Sequence, residues 1–161
     1  MRERKWKKVS RPARFPVVPA GNRSCMIFVT VCTRDRQPIL ANDKAHQILL
    51  EAWAAADIWL VGRYCIMPDH LHLFCAPASP EPCSIQQWSR YWKSCASRAW
   101  PNPQHKPLWQ PNLWDRQMRR HENYSAKWCY VRNNPVRHEL VPSPEQWPYQ
   151  GEMNVLTWHD A

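Results

Sequence analysis

The order of the sequence patterns predicts an α+β fold, a ferredoxin-like sandwich with one antiparallel sheet and helices packed on its face. Two observations carry this prediction. Short β-branched runs alternate with segments whose apolar residues recur at helical spacing, in the order strand, helix, strand, strand, helix, strand. The two middle strands are joined by a tight Pro-Asp turn, which makes them a hairpin and therefore antiparallel neighbours.

The first half of the chain supplies three strands and one helix. Three segments are rich in β-branched and aromatic residues and predict strands: 24–33, 58–67 and 70–75. A helix is predicted to open at Asn42 or Asp43, because several apolar residues that follow fall on one helical face. These residues are Ile48, Leu49, Ala52 and Trp53.

The second helix is predicted to begin after Ser84, a residue type that caps helix N-termini. An apolar stripe at helical spacing predicts the face that packs on the core. Its members are Ile85, Trp88, Trp92, Cys95 and Ala99. Three basic residues, Arg90, Lys93 and Arg98, are predicted to lie off this stripe.

The remaining chain predicts two short extended pieces and one more helix. The extended pieces fall within 107–118, and Asn123 is placed to cap the helix. This helix must stop near Asn134, because Pro135 disfavours helical geometry in the residue before it.

The length of 161 residues predicts one domain over 1–161, with a basic arm at 1–22 and an irregular tail from about 142 to 161. The net charge of +9 predicts attraction to a polyanion, nucleic acid before an anionic membrane. Eleven Trp residues must partly build the core, but Trp beside Arg and Lys also provides stacking surfaces for unpaired bases.

The seven cysteines show no C-x-x-C spacing, so they predict small buried hydrophobic residues in a reducing compartment. The basic N-terminus lacks the apolar segment of a signal peptide, and no apolar run reaches the about 18 residues of a membrane span. We therefore expect a soluble, cytoplasmic protein.

Two histidines in the third strand form the first candidate site. His70 and His72 are two apart, so a strand would project both imidazoles from one face and turn Leu71 and Leu73 to the core. Neutral imidazole is a common metal ligand. Two ordinary histidines on a half-exposed strand are the alternative, and a lone His-x-His does not exclude it.

A second candidate lies on the last helix. Tyr130 and Asn134 are four residues apart and would share a helical face. A tyrosine hydroxyl can attack phosphorus, and an amide oxygen can ligate a hard cation. The alternative for Tyr130 is a core aromatic residue on an amphipathic helix.

Four blocks in order resemble the single-tyrosine HUH transposases, and most closely the REP-associated tyrosine transposases of bacteria. They read FVTVCTRDRQPIL, YCIMPDHLHLF, LWQPNLWDRQMR and YVRNNPVRHEL. The third block resembles the segment before the catalytic helix, and the last matches the family's Tyr-x-x-x-Asn-Pro-Val. The resemblance implies a fold of the HUH endonuclease type.

The resemblance also implies the roles of individual residues. His70, His72 and Asn134 would ligate a divalent metal ion, Mg or Mn, and Tyr130 would be the nucleophile. Tyr124 is a competing tyrosine without the motif spacing. Glu139 departs from the pattern, because related sequences often have Gly after the Asn-Pro-Val turn.

The implied activity is cleavage and rejoining of single-stranded DNA at hairpin-forming repeats through a 5′-phosphotyrosine intermediate. Candidate phosphate contacts are Arg34, Arg36, Lys93, Arg98, Arg116, Arg119, Arg120 and Lys127. A monomer is favoured and a homodimer is possible. The alternatives are a domesticated, catalytically silent hairpin DNA-binding protein and a metal-dependent phosphohydrolase of small substrates. The phosphohydrolase needs neither the basic charge nor a tyrosine beside the metal.

Overall fold

The computed structural model describes residues 25–158, so the predicted basic arm at 1–22 lies outside the described residues. Within this range the chain forms five strands and four α-helices. In chain order they are β1 (Ile27–Cys32), α1 (Asp43–Ala55), β2 (Trp59–Ile66), β3 (His70–Pro77), α2 (Ile85–Ala99), β4 (Trp114–Gln117), α3 (Tyr124–Arg132), α4 (Asn134–Arg137) and β5 (Gln150–Glu152).

The strands form one antiparallel sheet in the order β4-β1-β3-β2-β5. The first four strands have the order and connections of a ferredoxin-like sheet, and the predicted α+β fold class is confirmed. The fifth strand corrects the prediction of an irregular tail. Residues Gln150–Glu152 pair with β2 and extend the sheet at its edge.

The helices α1 and α2 cover one face of the sheet. Each begins at the predicted cap: the Asn42 side chain accepts from the Ala45 backbone N–H, and Ser84 accepts from that of Gln87. The interface is rich in tryptophan, and the Trp88 indole donates a hydrogen bond to the Ala56 carbonyl at 2.7 Å. The buried aromatic rings that fill this layer are Trp53, Trp59, Trp88 and Trp92.

The opposite face of the sheet carries α3 and the C-terminal segment. Tyr124 and Val131 of α3 are buried there, with Phe74 of β3 and Trp147 beyond α4. The Trp147 indole donates to the Ile66 carbonyl at 2.9 Å, which ties this segment to β2. The N-terminal end of β3 lies on this same face of the sheet, beside α4.

The buried face of α2 differs from the predicted stripe in its C-terminal half. Lys93 is buried and Ala99 is exposed, so the predictions that Lys93 lies off the stripe and that Ala99 lies on it are wrong. The Lys93 stem packs with the face that carries Trp92 and Ala96, and its ammonium donates to the Gln110 carbonyl at 3.2 Å. A long aliphatic stem can be buried in this way while its charged end finds an acceptor.

The helix that carries the Tyr-x-x-x-Asn motif ends close to the predicted position. The helix α3 ends at Arg132, and Pro135 then occupies the first turn of the short helix α4, where its missing N–H needs no partner. The sequence did not predict this second helix. Two residues beyond the end of α4, Glu139 has a φ of 58°, in the left-handed region.

The backbone at Glu139 gives a first testable prediction. A side chain in the left-handed region is strained, whereas glycine is not. Glu139→Gly is therefore expected to stabilise the protein by about 1 kcal/mol, which raises Tm by about 2–4 °C in thermal unfolding of a domain of this size. Glu139→Ala removes the charge but keeps the strain, and an equal rise in Tm for this variant would contradict the explanation.

All seven cysteines are free thiols. Four are buried as predicted, two are half-buried, and Cys129 is exposed, so the prediction of a buried thiol is wrong there. Among the described residues, no helix has the length and apolar character to cross a membrane.

Candidate active site

The two histidines of β3 project from the same face of the sheet, as predicted. The ring centroids of His70 and His72 are 4.9 Å apart, while Leu71 and Leu73 are fully buried on the opposite face. The alternation of a strand explains this arrangement. The cross-strand partners on β1 are Cys32 for His70 and Thr30 for His72.

Both imidazoles are held through Nδ1. The Nδ1 atom of His70 is 2.7 Å from Asp69 Oδ1, and that of His72 is 2.8 Å from Thr30 Oγ1. Partners at Nδ1 fix the ring orientation and leave Nε2 to face a ligand. Phe28 stacks on His72 with centroids 5.4 Å apart and restricts the ring further.

The carboxylate of Asp69 is itself held by Arg36. The Arg36 Nε donates to Asp69 Oδ2 at 2.9 Å, and Nη2 is 3.4 Å from His70 Nδ1. Burial alone would raise the pKa of Asp69, but hydrogen bonds from His70 and Arg36 outweigh it and lower the pKa to about 2. Arg36 thus orients the His70 partner in this structure, and its contact with DNA stays a prediction.

The environment of His72 favours its neutral form. Desolvation is the main cause that lowers the pKa of His72 to about 3, and the nearby groups of His70 and Arg137 add to it. At neutral pH the ring therefore carries no charge. Neutral imidazole is the form that binds metal ions.

The two tyrosines of α3 have opposite environments. Tyr124 is 4% exposed, and its hydroxyl accepts a hydrogen bond from the Arg63 backbone N–H at 3.1 Å. Tyr130 is 68% exposed, so the alternative that it is a core aromatic residue is wrong. Tyr124 is a structural residue of the second core layer, and Tyr130 presents its ring to solvent.

One side chain, Arg137 of α4, connects Tyr130 to Asn134. Its Nη1 donates to the Tyr130 carbonyl at 2.8 Å, and its Nη2 donates to Asn134 Oδ1 at 2.5 Å. The centre of the guanidinium lies 4.0 Å from the Tyr130 ring centroid, within the range of a cation–π contact. A guanidinium only donates hydrogen bonds, so it orients the oxygen of the Asn134 amide toward itself.

Two residues at the end of α4, Arg137 and His138, lie close to the histidine pair of β3. The ring centroids of His138 and His70 are 6.4 Å apart, and Arg137 is close enough to His72 to lower its pKa. Sequence reasoning missed both Arg137 and His138. Their spacing could have indicated them, because residues three and four positions after Asn134 lie on the same helical face as Asn134.

The donor set at this site limits how a metal ion could be held. Within residues 25–158, no three His, Cys, Asp or Glu side chains come together in a way that could hold a metal ion. A third protein donor beside His70 and His72 would thus be of another type, such as an amide oxygen. The oxygen of the predicted donor, Asn134, accepts from Arg137 in this structure. Imidazole suits Zn²⁺ whereas an amide oxygen suits Mg²⁺ or Mn²⁺, so the donor types do not select one ion, and the role of Asn134 stays a prediction.

The predicted phosphate contacts are distributed unevenly around the site. Arg116 and Lys127 both pair with Glu122, at 2.6 and 3.0 Å, beside the start of α3. Five others are exposed: Arg34, Arg36, Arg98, Arg119 and Arg120. Lys93 is separated from this group, because it is buried between α2 and the segment before β4. Their contact with DNA stays a prediction.

The structure thus combines a ferredoxin-like sheet, a His-x-His pair on one strand and an exposed tyrosine on a helix that follows. Comparisons with known proteins show what this arrangement resembles. The chain is 24% identical over 135 residues to the REP-associated tyrosine transposase of Escherichia coli. The aligned residues cover 84% of this chain and 73% of that protein. A proposed REP-associated tyrosine transposase of Haemophilus influenzae is 27% identical over 97 residues, covering 53% of this chain and 54% of that protein. No family model matches the chain.

Two solved structures are similar in fold. One is a REP-associated tyrosine transposase bound to a REP hairpin, with a TM-score of 0.67, 21% identity and coverage of 85% of this chain and 82% of that chain. The other is a proposed transposase from Deinococcus radiodurans R1, with a TM-score of 0.51, 18% identity and coverage of 74% and 97%. The resemblance to REP-associated tyrosine transposases is therefore confirmed in sequence and in fold.

Proposed function

We propose that this protein is a metal-dependent single-stranded DNA transesterase that binds hairpin-forming repeat DNA and cleaves and rejoins it through a 5′-phosphotyrosine. One observation carries the proposal. Tyr130 is exposed and is joined through Arg137 to Asn134, on a helix pair that contacts the strand of His70 and His72. A core aromatic residue would instead be buried, whereas the Tyr130 ring is open to solvent.

The comparisons support the choice of substrate. The Escherichia coli relative is a transposase, and the similar solved structure is a transposase bound to a REP hairpin. We infer hairpin DNA as the substrate of this chain from that likeness and from its net charge of +9. Affinity for DNA should consequently be salt-dependent.

The proposed reaction exchanges one phosphodiester for another. The Tyr130 hydroxyl loses its proton and its oxygen bonds to the scissile phosphorus, while the bond to the 3′-oxygen breaks and that oxygen gains a proton. A bound Mg²⁺ or Mn²⁺ would supply polarisation of the phosphoryl oxygens. Tyr130 is left joined to the 5′-phosphate, and attack by another 3′-hydroxyl rejoins the strand.

The position of α4 supports a monomer that acts in cis. Arg137 joins Tyr130 to Asn134, and the ring centroid of His138, the next residue, lies 6.4 Å from that of His70 in the same chain. We therefore propose that one chain supplies both the nucleophile and the histidine pair.

The second candidate, a silent hairpin-binding protein, uses the same surface without the chemistry. Labelled hairpin DNA carrying a 5′ single-stranded tail, incubated with the protein and Mg²⁺ and run on a denaturing gel, separates the two. A transesterase gives a shifted band of protein joined to DNA together with a free product bearing a 3′-hydroxyl. A silent binder gives neither.

The partner of His70 gives a prediction about metal binding. Asp69→Asn keeps the shape of the side chain and one oxygen that can accept from Nδ1, but it removes the charge and the second acceptor, which Arg36 uses. The ring of His70 is therefore held less firmly. We expect about 10–100-fold weaker binding of Mn²⁺, measured by isothermal titration calorimetry. Asp57→Asn, an exposed change of the same kind, is the control. Equal Mn²⁺ affinity in Asp69→Asn and wild type would contradict a metal site at His70.

A further inference from the structure

One guanidinium holds both residues of the Tyr-x-x-x-Asn motif. Arg137 Nη1 donates to the Tyr130 carbonyl at 2.8 Å, Nη2 donates to Asn134 Oδ1 at 2.5 Å, and the centre of the guanidinium lies 4.0 Å from the centroid of the Tyr130 ring. Arg137 and Asn134 are three residues apart on α4 and so lie on one helical face. The proposed nucleophile and the predicted metal ligand are thus restrained by the same charged group.

The contact with Arg137 occupies the oxygen that a metal ion would use. Asn134 is 9% exposed, and a hydrogen bond that a charged group donates to its amide is stronger than one between neutral groups. The amide oxygen has a second lone pair. A cation bound there would nevertheless be a near neighbour of the guanidinium, and like charges at such range repel. This arrangement opposes the binding of a metal ion to the same oxygen.

The charges around the histidine pair strengthen this opposition. Burial is the main cause of the low pKa of His72, and nearby groups that include Arg137 add to it, so the charge of Arg137 reaches the pair. Arg36 Nη2 is a second positive group, 3.4 Å from His70 Nδ1. The Asp69 carboxylate is shared between Arg36 and His70, and among residues 25–158 no carboxylate forms an ion pair with Arg137. The positive charge that faces the proposed metal site is therefore only partly neutralised.

We propose that Arg137 competes with the metal ion for Asn134 Oδ1 and restrains Tyr130 until the ion is bound. The proposal rests on the proposed function and adds a control of metal loading to the same site. Arg137 is in this role a positioning residue: when its guanidinium leaves the amide oxygen, the ion gains a ligand and Tyr130 loses its contact. A ligand that binds only a minor form of a protein has an affinity reduced by the fraction of that form. The free protein should therefore bind metal weakly.

The test measures Mn²⁺ binding without DNA and so does not depend on cleavage. Electron paramagnetic resonance of the unbound ion gives the dissociation constant for four proteins: wild type, Arg137→Met, Asn134→Ala and the double variant. Met keeps an unbranched stem and removes the guanidinium. Removal of a positive charge raises metal affinity whether or not Asn134 is present, whereas relief of competition requires the Asn134 oxygen. The double-mutant cycle separates these two effects.

We expect Arg137→Met to bind Mn²⁺ about tenfold more tightly than wild type, which corresponds to an open form in about one molecule in ten. Asn134→Ala should weaken binding about tenfold in the Arg137→Met background. In the wild-type background it should change binding little, because the oxygen is already occupied by the guanidinium.

A second pair of variants and a charge control complete the measurement. Arg137→Ala and Asn134→Leu, which keeps the side-chain volume, repeat the cycle. Arg90→Met removes an exposed positive charge on α2, across the sheet from the histidine pair, and should leave Mn²⁺ binding unchanged. Thermal unfolding confirms that each variant is folded at the temperature of the titration.

Three results would overturn the inference: an equal effect of Asn134→Ala in both backgrounds, unchanged or weaker Mn²⁺ binding by Arg137→Met, or no Mn²⁺ binding by any of the four proteins. Weaker binding by Arg137→Met would show that the guanidinium supports the ligand instead of competing with the ion. The expected cycle in a wild-type protein that forms no adduct with hairpin DNA would refute the proposed function and leave the role of Arg137 standing. Adduct formation without the expected cycle would refute the role of Arg137 alone.

Discussion

Replacing Tyr130 by Phe is expected to abolish both the covalent protein–DNA adduct and the cleavage of hairpin DNA. The change removes only the hydroxyl, and the ring is 68% exposed, so neither the fold nor DNA affinity should depend on it. The ring also keeps its contact with the Arg137 guanidinium. The measurement is a denaturing gel with 5′-tailed hairpin DNA and Mg²⁺, accompanied by an anisotropy titration for binding.

Tyr124→Phe is the matched control, and the structure predicts a different result for it. The hydroxyl of Tyr124 accepts from the Arg63 backbone N–H, so its removal leaves a buried donor without this acceptor. We expect lower stability by about 1–3 kcal/mol with adduct and cleavage retained. Cleavage by Tyr130→Phe at the wild-type rate would make water the nucleophile and would remove the central residue of the proposed reaction.

Replacing His72 by Ala is expected to give the second large effect, a loss of metal-dependent cleavage with hairpin binding retained. The ring is neutral at neutral pH and presents Nε2, so its removal takes away a proposed ligand and no positive charge that DNA would contact. Cleavage in Mg²⁺ should fall below detection, and Mn²⁺ binding by calorimetry should disappear with it.

His121→Ala is the control for the histidine substitution. His121 is exposed before α3, and its replacement should leave Mn²⁺ binding and cleavage unchanged. Because His72 packs against Phe28, thermal unfolding must show that His72→Ala remains folded at the assay temperature. A folded His72→Ala that cleaves with Mg²⁺ as fast as wild type would refute the assignment of this histidine as a ligand.

The fold could be predicted from sequence wherever a local rule decides the structure. The alternation of a strand places His70 and His72 on one face, and the side chains of Asn42 and Ser84 set the helix starts. Strand β5 had no such signal. Its residues have little β propensity, and Gly151 is needed because a Cβ there would lie 2.8 Å from the Tyr64 hydroxyl, a contact that exists only after folding.

The candidate site was predictable in its motif residues and not in the residues that connect them. His-x-His and Tyr-x-x-x-Asn can be recognised in the sequence because the members of each pair are close neighbours along the chain. The bridge made by Arg137 depends on the break between α3 and α4, which sets the angle at which the guanidinium meets Tyr130 and Asn134. The burial of Lys93 likewise depends on a segment more than ten residues away in the chain.

The sheet is bordered by very short strands, four residues in β4 and three in β5. The long strands β1, β2 and β3 therefore lie inside the sheet, and their backbone N–H and C=O groups pair with neighbours in the same chain. Long unpaired edges are where chains add strands to one another and aggregate. A protein bounded in this way offers little backbone for a second copy to extend the sheet, and it should remain dispersed at the concentrations that DNA-binding titrations require.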